Sequence, residues 1–239
     1  MPDILLSAKN LTKHYTMGDT VLPVLKGLNL ELQAGEIVAV VGESGAGKST
    51  LLHILGLLDR PNAGELLFGN RDLCALSPDD SAHFRNREIG FIFQFHHLMP
   101  EFNAVENVVM PARIARLPLG ASIERAQYLL GRVGLSQRLD HRPNELSGGE
   151  LQRVAVARAL INEPSIVLAD EPSGNLDHKN SEVLHDLIWQ LAREQGCTFV
   201  IATHDTRLAQ RADRLMLLED GVTQEIDMEK YRQHIILNS

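Results

Sequence analysis

Residues 42–49 have the types and spacing needed to hold a polyphosphate. This run, Gly42-Glu43-Ser44-Gly45-Ala46-Gly47-Lys48-Ser49, fits the pattern G-x-x-x-x-G-K-[ST] and is followed by Thr50. Glycines let backbone N–H groups wrap phosphate oxygens, and a helix starting here would add its positive end. Lys48 would supply charge to the β- and γ-phosphates, and the Ser49 hydroxyl would bind Mg²⁺. We call residues 42–49 the phosphate cradle; the alternative is a glycine-rich turn without a ligand.

Two adjacent carboxylates, Asp170 and Glu171, follow the aliphatic segment 165–169. In open α/β sheets, ligands bind at the carboxyl ends of strands. We expect Asp170 to hold Mg²⁺ through water and Glu171 to polarise an attacking water molecule. Phosphoryl transfer depends on positioning and charge more than on covalent help, so one such carboxylate is enough. The alternative is a strand that merely ends in acidic residues.

A second anion site is indicated by Ser147-Gly148-Gly149-Glu150. Ser147 and Glu150 have the spacing of a capping box, which predicts that a helix starts here. The two glycines would let phosphate oxygens approach the exposed N–H groups of the first turn. The alternative is a well-capped helix and nothing more. As an anion site, this segment predicts two phosphate-binding helix ends, brought together from two copies of the chain.

The elements that must position these residues alternate along an α/β core. Strands are predicted at 28–32, 36–41 and 65–68, and glycine-poor sequence from about 100 to 146 predicts an inserted helical region with a helix over 123–133. Alternation then resumes with a helix at 150–161, a strand at 165–169, a helix at 181–194 and a strand at 198–202. Asp220-Gly221 predicts a hairpin between strands 215–218 and 222–226. No linker or repeat divides the chain.

Composition excludes several classes of protein. The chain has 239 residues, with 31 acidic against 23 basic residues and a net charge of −8. This balance argues against a nucleic acid as the main partner, because nucleic-acid binders carry a basic face. No apolar run approaches the roughly 18 residues of a spanning helix, and residues 1–13 show no export signal. Cys74 and Cys197 match no metal or redox spacing.

The order of the phosphate cradle, residues 146–150, the Asp170-Glu171 pair and His204 resembles the nucleotide-binding subunits of ABC transporters. The resemblance runs from about residue 5 to residue 225. It implies one α/β domain over 1–239, a P-loop NTPase core with an N-terminal antiparallel β subdomain and an inserted α-helical subdomain at about 96–160. It also implies a head-to-tail homodimer, with ATP between the cradle of one subunit and Ser147-Gly148-Gly149 of the other. Glu150 stands where the family more often has glutamine.

The resemblance assigns further roles by position. Tyr15 matches the aromatic residue that stacks on adenine, although a core or surface tyrosine is the alternative. Gln94 matches the glutamine that senses the γ-phosphate and the metal, and His204 matches the histidine that contacts the γ-phosphate. Asp177, in the loop 174–177, matches the acidic residue that crosses the dimer interface. The expected cofactors are ATP and Mg²⁺, with Glu171, His204 and Gln94 as catalytic residues and Ser49, Gln94 and Asp170 as the residues of the metal site.

Within the family, residues 91–108, 141–146 and 168–177 resemble the ATPase subunits of the lipoprotein-releasing transporters of Gram-negative bacteria. This implies a peripheral protein on the cytoplasmic face of the inner membrane that does not touch the transported substrate. Integral membrane permease subunits would dock near Gln94 to Phe102. Five of the seven phenylalanines fall between Phe84 and Phe102, as an apolar docking groove requires. The alternative is that Phe91 and Phe93 are strand core and the others a packed corner.

Other functions remain open. The ATPases of macrolide-export and cell-division complexes share most of these motifs, and the latter would use the same cycle for signalling rather than transport. A DNA-repair or ribosome-bound ATPase of the superfamily would carry a coiled-coil insertion or two fused cassettes. A small-molecule kinase would need the cradle but would leave residues 146–150 and His204 unexplained.

Overall fold

The computed structural model describes residues 4–237, which divide into two compact units. The first unit takes the chain up to Ser81 and from Thr198 onward, and the second is Ala82–Cys197. Strands and helices alternate along much of the chain, which confirms the predicted α/β class. No helix in the described part of the chain is long and apolar enough to cross a membrane.

The first unit contains an antiparallel sheet and a mostly parallel sheet. The antiparallel sheet has the order β2-β1-β4-β5 and is built from β1 (Ile4–Met17), β2 (Thr20–Gln33), β4 (Ala63–Phe68) and β5 (Arg71–Asp72). The mostly parallel sheet has the order β10-β9-β3-β8 within this unit. Its strands here are β3 (Ile37–Val41), β8 (Thr198–Ala202), β9 (Arg214–Glu219) and β10 (Val222–Ile226). Its helices are α1 (Lys48–Leu55), α7 (Thr206–Ala209) and α8 (Met228–Leu237).

Strand β3 lies at the centre of the first unit. All five of its residues are buried aliphatics, as expected for a strand covered on both faces. It runs parallel to β8 on one side, with Val40 opposite Ala202, and parallel to β9 on the other, with Val38 opposite Arg214. The carboxyl ends of β3 and β8 therefore meet at one edge of the sheet, and each continues into a predicted site segment.

The second unit combines a parallel strand pair with four long helices. β6 (Ile89–Ile92) pairs with β7 (Ile166–Asp170), so that Ile92 lies opposite Ala169. The helices that lie wholly in this unit are α3 (Ala104–Ile114), α4 (Leu119–Arg132), α5 (Gly148–Leu160) and α6 (His178–Gln195), with a 3₁₀ turn at Pro143–Glu145. The remaining helix, α2 (Pro78–Glu88), contains the boundary between the two units.

Several predicted elements are confirmed and others begin at different residues. The strand at 198–202 and the hairpin around Asp220-Gly221 form as predicted. The helix predicted over 181–194 begins at His178, because Asp177 caps it. The strand predicted at 28–32 is only the second part of β2. The single domain over 1–239, whose ends at 1–3 and 238–239 lie outside the described residues, and its helical part at about 96–160 stay predictions.

Candidate functional site

The phosphate cradle is the loop between β3 and α1. Gly47, the residue before the helix, has φ +104°, and a Cβ atom there would lie 2.8 Å from Val24 Cγ1. At Gly42 a Cβ atom would collide with the carbonyl oxygen of Leu218. Both positions therefore require glycine. The first turn of α1 contains no acidic residue, so its positive end is not neutralised by its own side chains.

The Lys48 side chain is held inside the cradle. The residue is 9% exposed, and its ammonium donates to the carbonyl oxygens of Gly42, at 2.8 Å, and Glu43, at 3.0 Å. These bonds keep the positive charge beside the N–H groups of the loop. An anion bound by those groups would therefore lie next to a lysine that is already in position. Ser49 and Thr50 follow it in the first turn of α1.

His204 lies at the same sheet edge as the cradle. The backbone N–H of Thr203, which follows β8, donates to the carbonyl oxygen of Val40 in β3 at 3.0 Å. The Thr203 hydroxyl in turn accepts from the N–H of Asp205 at 3.0 Å. These two bonds fix the turn that carries the exposed His204 side chain. The first unit thus brings His204 and the cradle to the ends of neighbouring strands.

Tyr15 belongs to a polar cluster on β1 that the sequence did not indicate. Its hydroxyl donates to Asp59 Oδ2 at 2.9 Å, and Lys13 Nζ, which lies 4.9 Å from the centre of the Tyr15 ring, bonds Asp59 Oδ1 at 2.7 Å. Partial burial of Asp59 acts to raise its pKa, but the bonds from Lys13 and Tyr15 outweigh it and lower the pKa. Tyr15 is 37% exposed, so it is a surface residue whose hydroxyl is fixed by Asp59. Lys13 lies over one face of the ring.

The second unit brings Gln94, Asp170 and Glu171 to one sheet edge. Gln94 lies two residues beyond the end of β6, and the carboxylates lie at the end of β7, which is parallel to it. Glu171 has φ +44°, in the left-handed region that costs a non-glycine residue about 1–2 kcal/mol. Its carbonyl accepts from the N–H of Gly174 at 3.0 Å, in the turn that carries the chain toward Asp177.

Gln94 is tied to the loop that follows Glu171. Its amide nitrogen donates to Asn175 Oδ1 at 3.1 Å, and Asn175 Nδ2 donates back to the Gln94 carbonyl at 3.0 Å. A Cβ atom at Gly174 would lie 3.0 Å from Gln94 Nε2, so the loop packs closely against the glutamine. Gln94 and the loop 171–177 therefore form one connected structure.

The helix start predicted at Ser147 is confirmed as a complete capping box. The N–H of Glu150 donates to Ser147 Oγ at 3.3 Å, and the N–H of Ser147 donates to Glu150 Oε2 at 2.8 Å. Arg138 Nε donates to the other carboxylate oxygen of Glu150 at 3.0 Å. The Ser147 backbone bond, followed by the bonds from Arg138 and the Ser147 hydroxyl, lowers the pKa of Glu150 to about 2. The first helical bond is from Leu151 to the Ser147 carbonyl, so the N–H groups of Gly148 and Gly149 precede it.

Asp177 caps α6 in this structure. Its Oδ1 accepts from the N–H of Asn180 at 2.9 Å and its Oδ2 accepts from the Asn180 side chain at 2.6 Å, and these bonds lower its pKa. Asn180 also packs against Gly149, where a Cβ atom would lie 2.9 Å from Asn180 Oδ1. The glycine pair on α5 and the Asp177 turn are thus in direct contact.

The loop after Gln94 is fastened to α5 from several sides. Arg158 donates to the carbonyl oxygens of His97, at 2.7 Å, and His96, at 2.8 Å. Gln152 Nε2 donates to the Phe93 carbonyl at 3.1 Å, and His96 Nε2 lies 3.1 Å from the carbonyl oxygen of Gly148. Burial lowers the pKa of Arg158. The main chain of this loop is therefore held by the helix that carries the glycine pair.

Some of the aromatic residues between residues 84 and 102 are packed against other side chains, and others are exposed. The Phe91 and Phe93 rings stack with their centroids 5.6 Å apart, and Phe93 meets the His97 ring edge-on at 5.2 Å. Phe84 is buried, whereas Phe95 is 66% exposed and Met99 46% exposed. The packed-corner interpretation thus fits part of the cluster, and an exposed apolar pair remains.

Sequence reasoning missed the residues that support the predicted site. Asp59, Arg138, Asn180 and Arg158 each contact a predicted site segment, yet none is part of a recognisable motif. Each has a contact at least 12 positions away along the chain: Arg138 with Glu150, Asn180 with Gly149, Asp59 with Tyr15 and Arg158 with His96. Only the folded chain brings them together. The spacing of the capping box was the one supporting contact that the sequence predicted.

Comparisons with known proteins agree with this arrangement. The family model described as ABC transporter matches residues 25–174, more than half of the chain. The lipoprotein-releasing system ATP-binding protein LolD of Idiomarina loihiensis is 50% identical over 93% of this chain and 97% of its own length. LolD of Geobacter metallireducens is 52% identical over 91% of this chain and 96% of its own length.

A solved structure has the same fold. The dimeric ATP-binding cassette MJ0796, in a post-hydrolysis state bound to ADP and Pi, superimposes with a TM-score of 0.86 at 39% identity, covering 93% of this chain and 98% of that one. With the cradle, the capped glycine pair and the paired carboxylates each formed at the ends of the predicted elements, the chain belongs to the ABC transporter family and has the fold of an ATP-binding cassette.

Proposed function

We propose that the chain is the ATP-hydrolysing subunit of an ABC transporter and works as a head-to-tail homodimer around two ATP molecules. The observation that carries this proposal is the presence of two helix starts that suit an anion, at the cradle before α1 and at the glycine pair of α5. Each offers N–H groups at the positive end of a helix. Two such sites in one chain are accounted for if each ATP is shared between two copies.

The first unit would bind the nucleotide. The cradle N–H groups and Lys48 would hold the phosphates, and Tyr15 would stack on adenine through the face of its ring that Lys13 does not cover. His204, at the end of the neighbouring strand, would contact the γ-phosphate. These groups are held by the protein itself, so little ordering would be required when ATP binds.

The second unit would contribute the groups for hydrolysis. Glu171 would accept a proton from the attacking water, and Gln94 would orient that water or the metal. Gln94 and Asp170 offer amide and carboxylate oxygens, which suit Mg²⁺ as ligands. Ser49, in the first unit, offers a hydroxyl oxygen, which also suits Mg²⁺. The expected Mg²⁺ ion would neutralise charge on the phosphates. Among residues 4–237 no cluster of three His, Cys, Asp or Glu side chains suits a metal.

ATP binding would shift the dimer from an open to a closed state. The γ-phosphate would meet Ser147, Gly148 and Gly149 of the opposite subunit only when the two copies close. ATP then binds the closed state more tightly than the open state, and such differential affinity is what shifts a conformational equilibrium. Hydrolysis would remove the shared γ-phosphate and reopen the dimer.

The membrane partner would be a permease that docks on the loop between Gln94 and Phe102. Exposed Phe95 and Met99 offer an apolar contact there for a partner helix. The identity of about 50% with LolD proteins over more than nine-tenths of the chain supports release of lipoproteins from the inner membrane to a periplasmic carrier. The chain would then act at the cytoplasmic face and would not contact the lipoprotein.

The Glu171→Gln variant tests the dimer. The amide keeps the size of the side chain but accepts no proton, so we expect hydrolysis to fall by about 100-fold or more. With saturating ATP and Mg²⁺, light scattering should find a stable dimer, which should not form without ATP. Glu124→Gln, an exposed position on α4, serves as the matched control and should hydrolyse ATP at the parent rate. A Glu171→Gln protein that stays monomeric in saturating ATP contradicts the proposal.

The membrane system is tested by co-purification from detergent-solubilised membranes, followed by reconstitution of the captured complex. ATP-dependent release of a lipoprotein to a soluble carrier supports the proposed function. Efflux of a macrolide, or a cell-division partner that signals without transport, assigns the chain instead to one of the two related systems. The cassette dimer is common to all three outcomes.

A further inference from the structure

The Ser147 hydroxyl has one proton, and in this structure it uses that proton to donate a hydrogen bond to Glu150. Ser147 Oγ lies 2.8 Å from Glu150 Oε2 and also accepts from the N–H of Glu150 at 3.3 Å. An ionised carboxylate can only accept hydrogen bonds, so the hydroxyl must be the donor. The pKa of Glu150, held at about 2, keeps the carboxylate ionised at any physiological pH.

This bond competes with phosphate binding, which is the role proposed above for Ser147. Phosphate oxygens, like carboxylate oxygens, offer only lone pairs. Ser147 therefore cannot donate to the γ-phosphate and to Glu150 together. When it turns to the phosphate, Glu150 loses one of its donors while a highly charged anion approaches the same helix turn.

Arg138 supplies the positive charge that compensates Glu150 for the lost donor and the approaching anion. Its Nε donates to Glu150 Oε1, the oxygen that Ser147 does not use, at 3.0 Å. The Glu150 side chain is only 18% exposed and the Arg138 side chain 43% exposed, so solvent screens the carboxylate incompletely. An unpaired charge destabilises an interface more strongly as water is excluded from it. The pairing of Glu150 with Arg138 therefore becomes more important when the two copies close.

We propose that Arg138 is a positioning residue for the second anion site: it neutralises Glu150 and holds its carboxylate while the Ser147 hydroxyl turns to the γ-phosphate of ATP bound by the opposite subunit. This inference rests on the proposed shared-ATP dimer. The function of Arg138 is thus to make a glutamate compatible with a site that binds an anion. A neutral side chain at position 150 would not need the arginine.

A double-variant cycle in the Glu171→Gln background tests the pairing. With Glu150 present, Arg138→Gln should raise the ATP concentration needed for half-maximal dimerisation by about tenfold. With Glu150→Gln present, adding Arg138→Gln should change that concentration by less than about threefold, because no charge is left to neutralise. Arg138→Lys should retain part of the parent behaviour. Light scattering across an ATP titration gives each value.

Arg142→Gln is the matched control, since it removes an exposed arginine of the same segment that does not bond Glu150. It should dimerise as the background protein does. Binding of a fluorescent ATP analogue to the diluted, monomeric protein should be the same in all variants, because the cradle lies in the first unit. Melting temperatures of the monomers show whether Arg138→Gln acts through folding instead.

The inference is overturned if Arg138→Gln dimerises like Arg142→Gln, or if Glu150→Gln fails to remove its effect. The second result would mean that Arg138 acts on the fold or on the phosphate directly. If the Glu171→Gln background itself stays monomeric in ATP, the proposed dimer fails and the inference fails with it. The first two outcomes leave the proposed function standing, so the two failures are distinguishable.

Discussion

In the first unit, the protein's own contacts hold the Lys48 side chain in position for a phosphate. Lys48 is buried in the cradle and bonds two loop carbonyls, so its charge does not sample solvent. Holding a long side chain in one rotamer costs conformational entropy, and here that entropy is lost when the protein folds and not when an anion binds. The lysine therefore offers its charge to an anion without a further ordering cost.

Lys48→Ala should weaken ATP binding by about 30-fold, equivalent to about 2 kcal/mol for a lost charge-assisted hydrogen bond. Titration with a fluorescent ATP analogue measures the affinity. Lys9→Ala removes an exposed lysine of the same unit and should bind the analogue as the unmodified protein does. Equal affinities for the two variants would show that Lys48 does not contact the nucleotide.

The residues of the site differ in how far the sequence predicts them. Lys48 and Ser147 are recognisable because short spacing encodes a loop or a helix start, and Asp170 is recognisable because it ends an aliphatic strand. Arg138 could not be predicted, because its bond to Glu150 depends on how the segment between them folds. The left-handed conformation of Glu171 was equally hidden, since glutamate shows no preference for it.

At the scale of elements, Gly47 joins β3 to α1 in a conformation open only to glycine. Its φ of +104°, and the 2.8 Å that would separate an added Cβ atom from Val24 Cγ1, define a tight junction. The cradle and the helix dipole both depend on this junction. A change here should affect stability and phosphate binding together.

Gly47→Ala should lower the free energy of unfolding by about 1–3 kcal/mol, because it combines backbone strain with a steric contact. Urea unfolding measures this, and nucleotide affinity should fall as well. Gly120→Ala is the matched control: no heavy atom lies within 4 Å of the added Cβ, and the position is helical. It should stabilise by about 0.5–1 kcal/mol. A Gly47→Ala protein as stable as Gly120→Ala would contradict the strain argument.

Elements with a strong local signal were predicted well. The β9–β10 hairpin has Asp-Gly at its turn, and β8 is a short apolar run with clear ends. β1 was missed because its pairing shifts register several times and its residue Asn10 has φ +51°. Such shifts break the alternation of apolar and polar residues that marks a strand. The start of α6 was misplaced because the cap at Asp177 was assigned only to an interface.

For the whole molecule, the two units carry different parts of the proposed chemistry. The first holds the cradle, Tyr15 and His204, and the second holds the carboxylates and the glycine pair. A shared site makes activity a property of the dimer and so of protein concentration.

The ATPase rate per chain should therefore rise with protein concentration and reach a plateau when the dimer forms. At dilutions where light scattering finds only monomers, we expect at least about a tenfold lower rate. Gly148→Asp, which adds a negative charge where a Cβ atom meets only Leu176 at 3.9 Å, should fold but stay near the monomer rate. Gly148→Ala is its uncharged control. A constant rate per chain at all concentrations, unaffected by Gly148→Asp, would rule out the shared site.

The bonds from Arg158 to the carbonyls of His96 and His97 have a mechanical consequence. A loop whose main chain is clamped to a helix cannot absorb a load by bending on its own. A force on the exposed Phe95 side chain would instead be transmitted to α5 and so to Ser147 at its N-terminus.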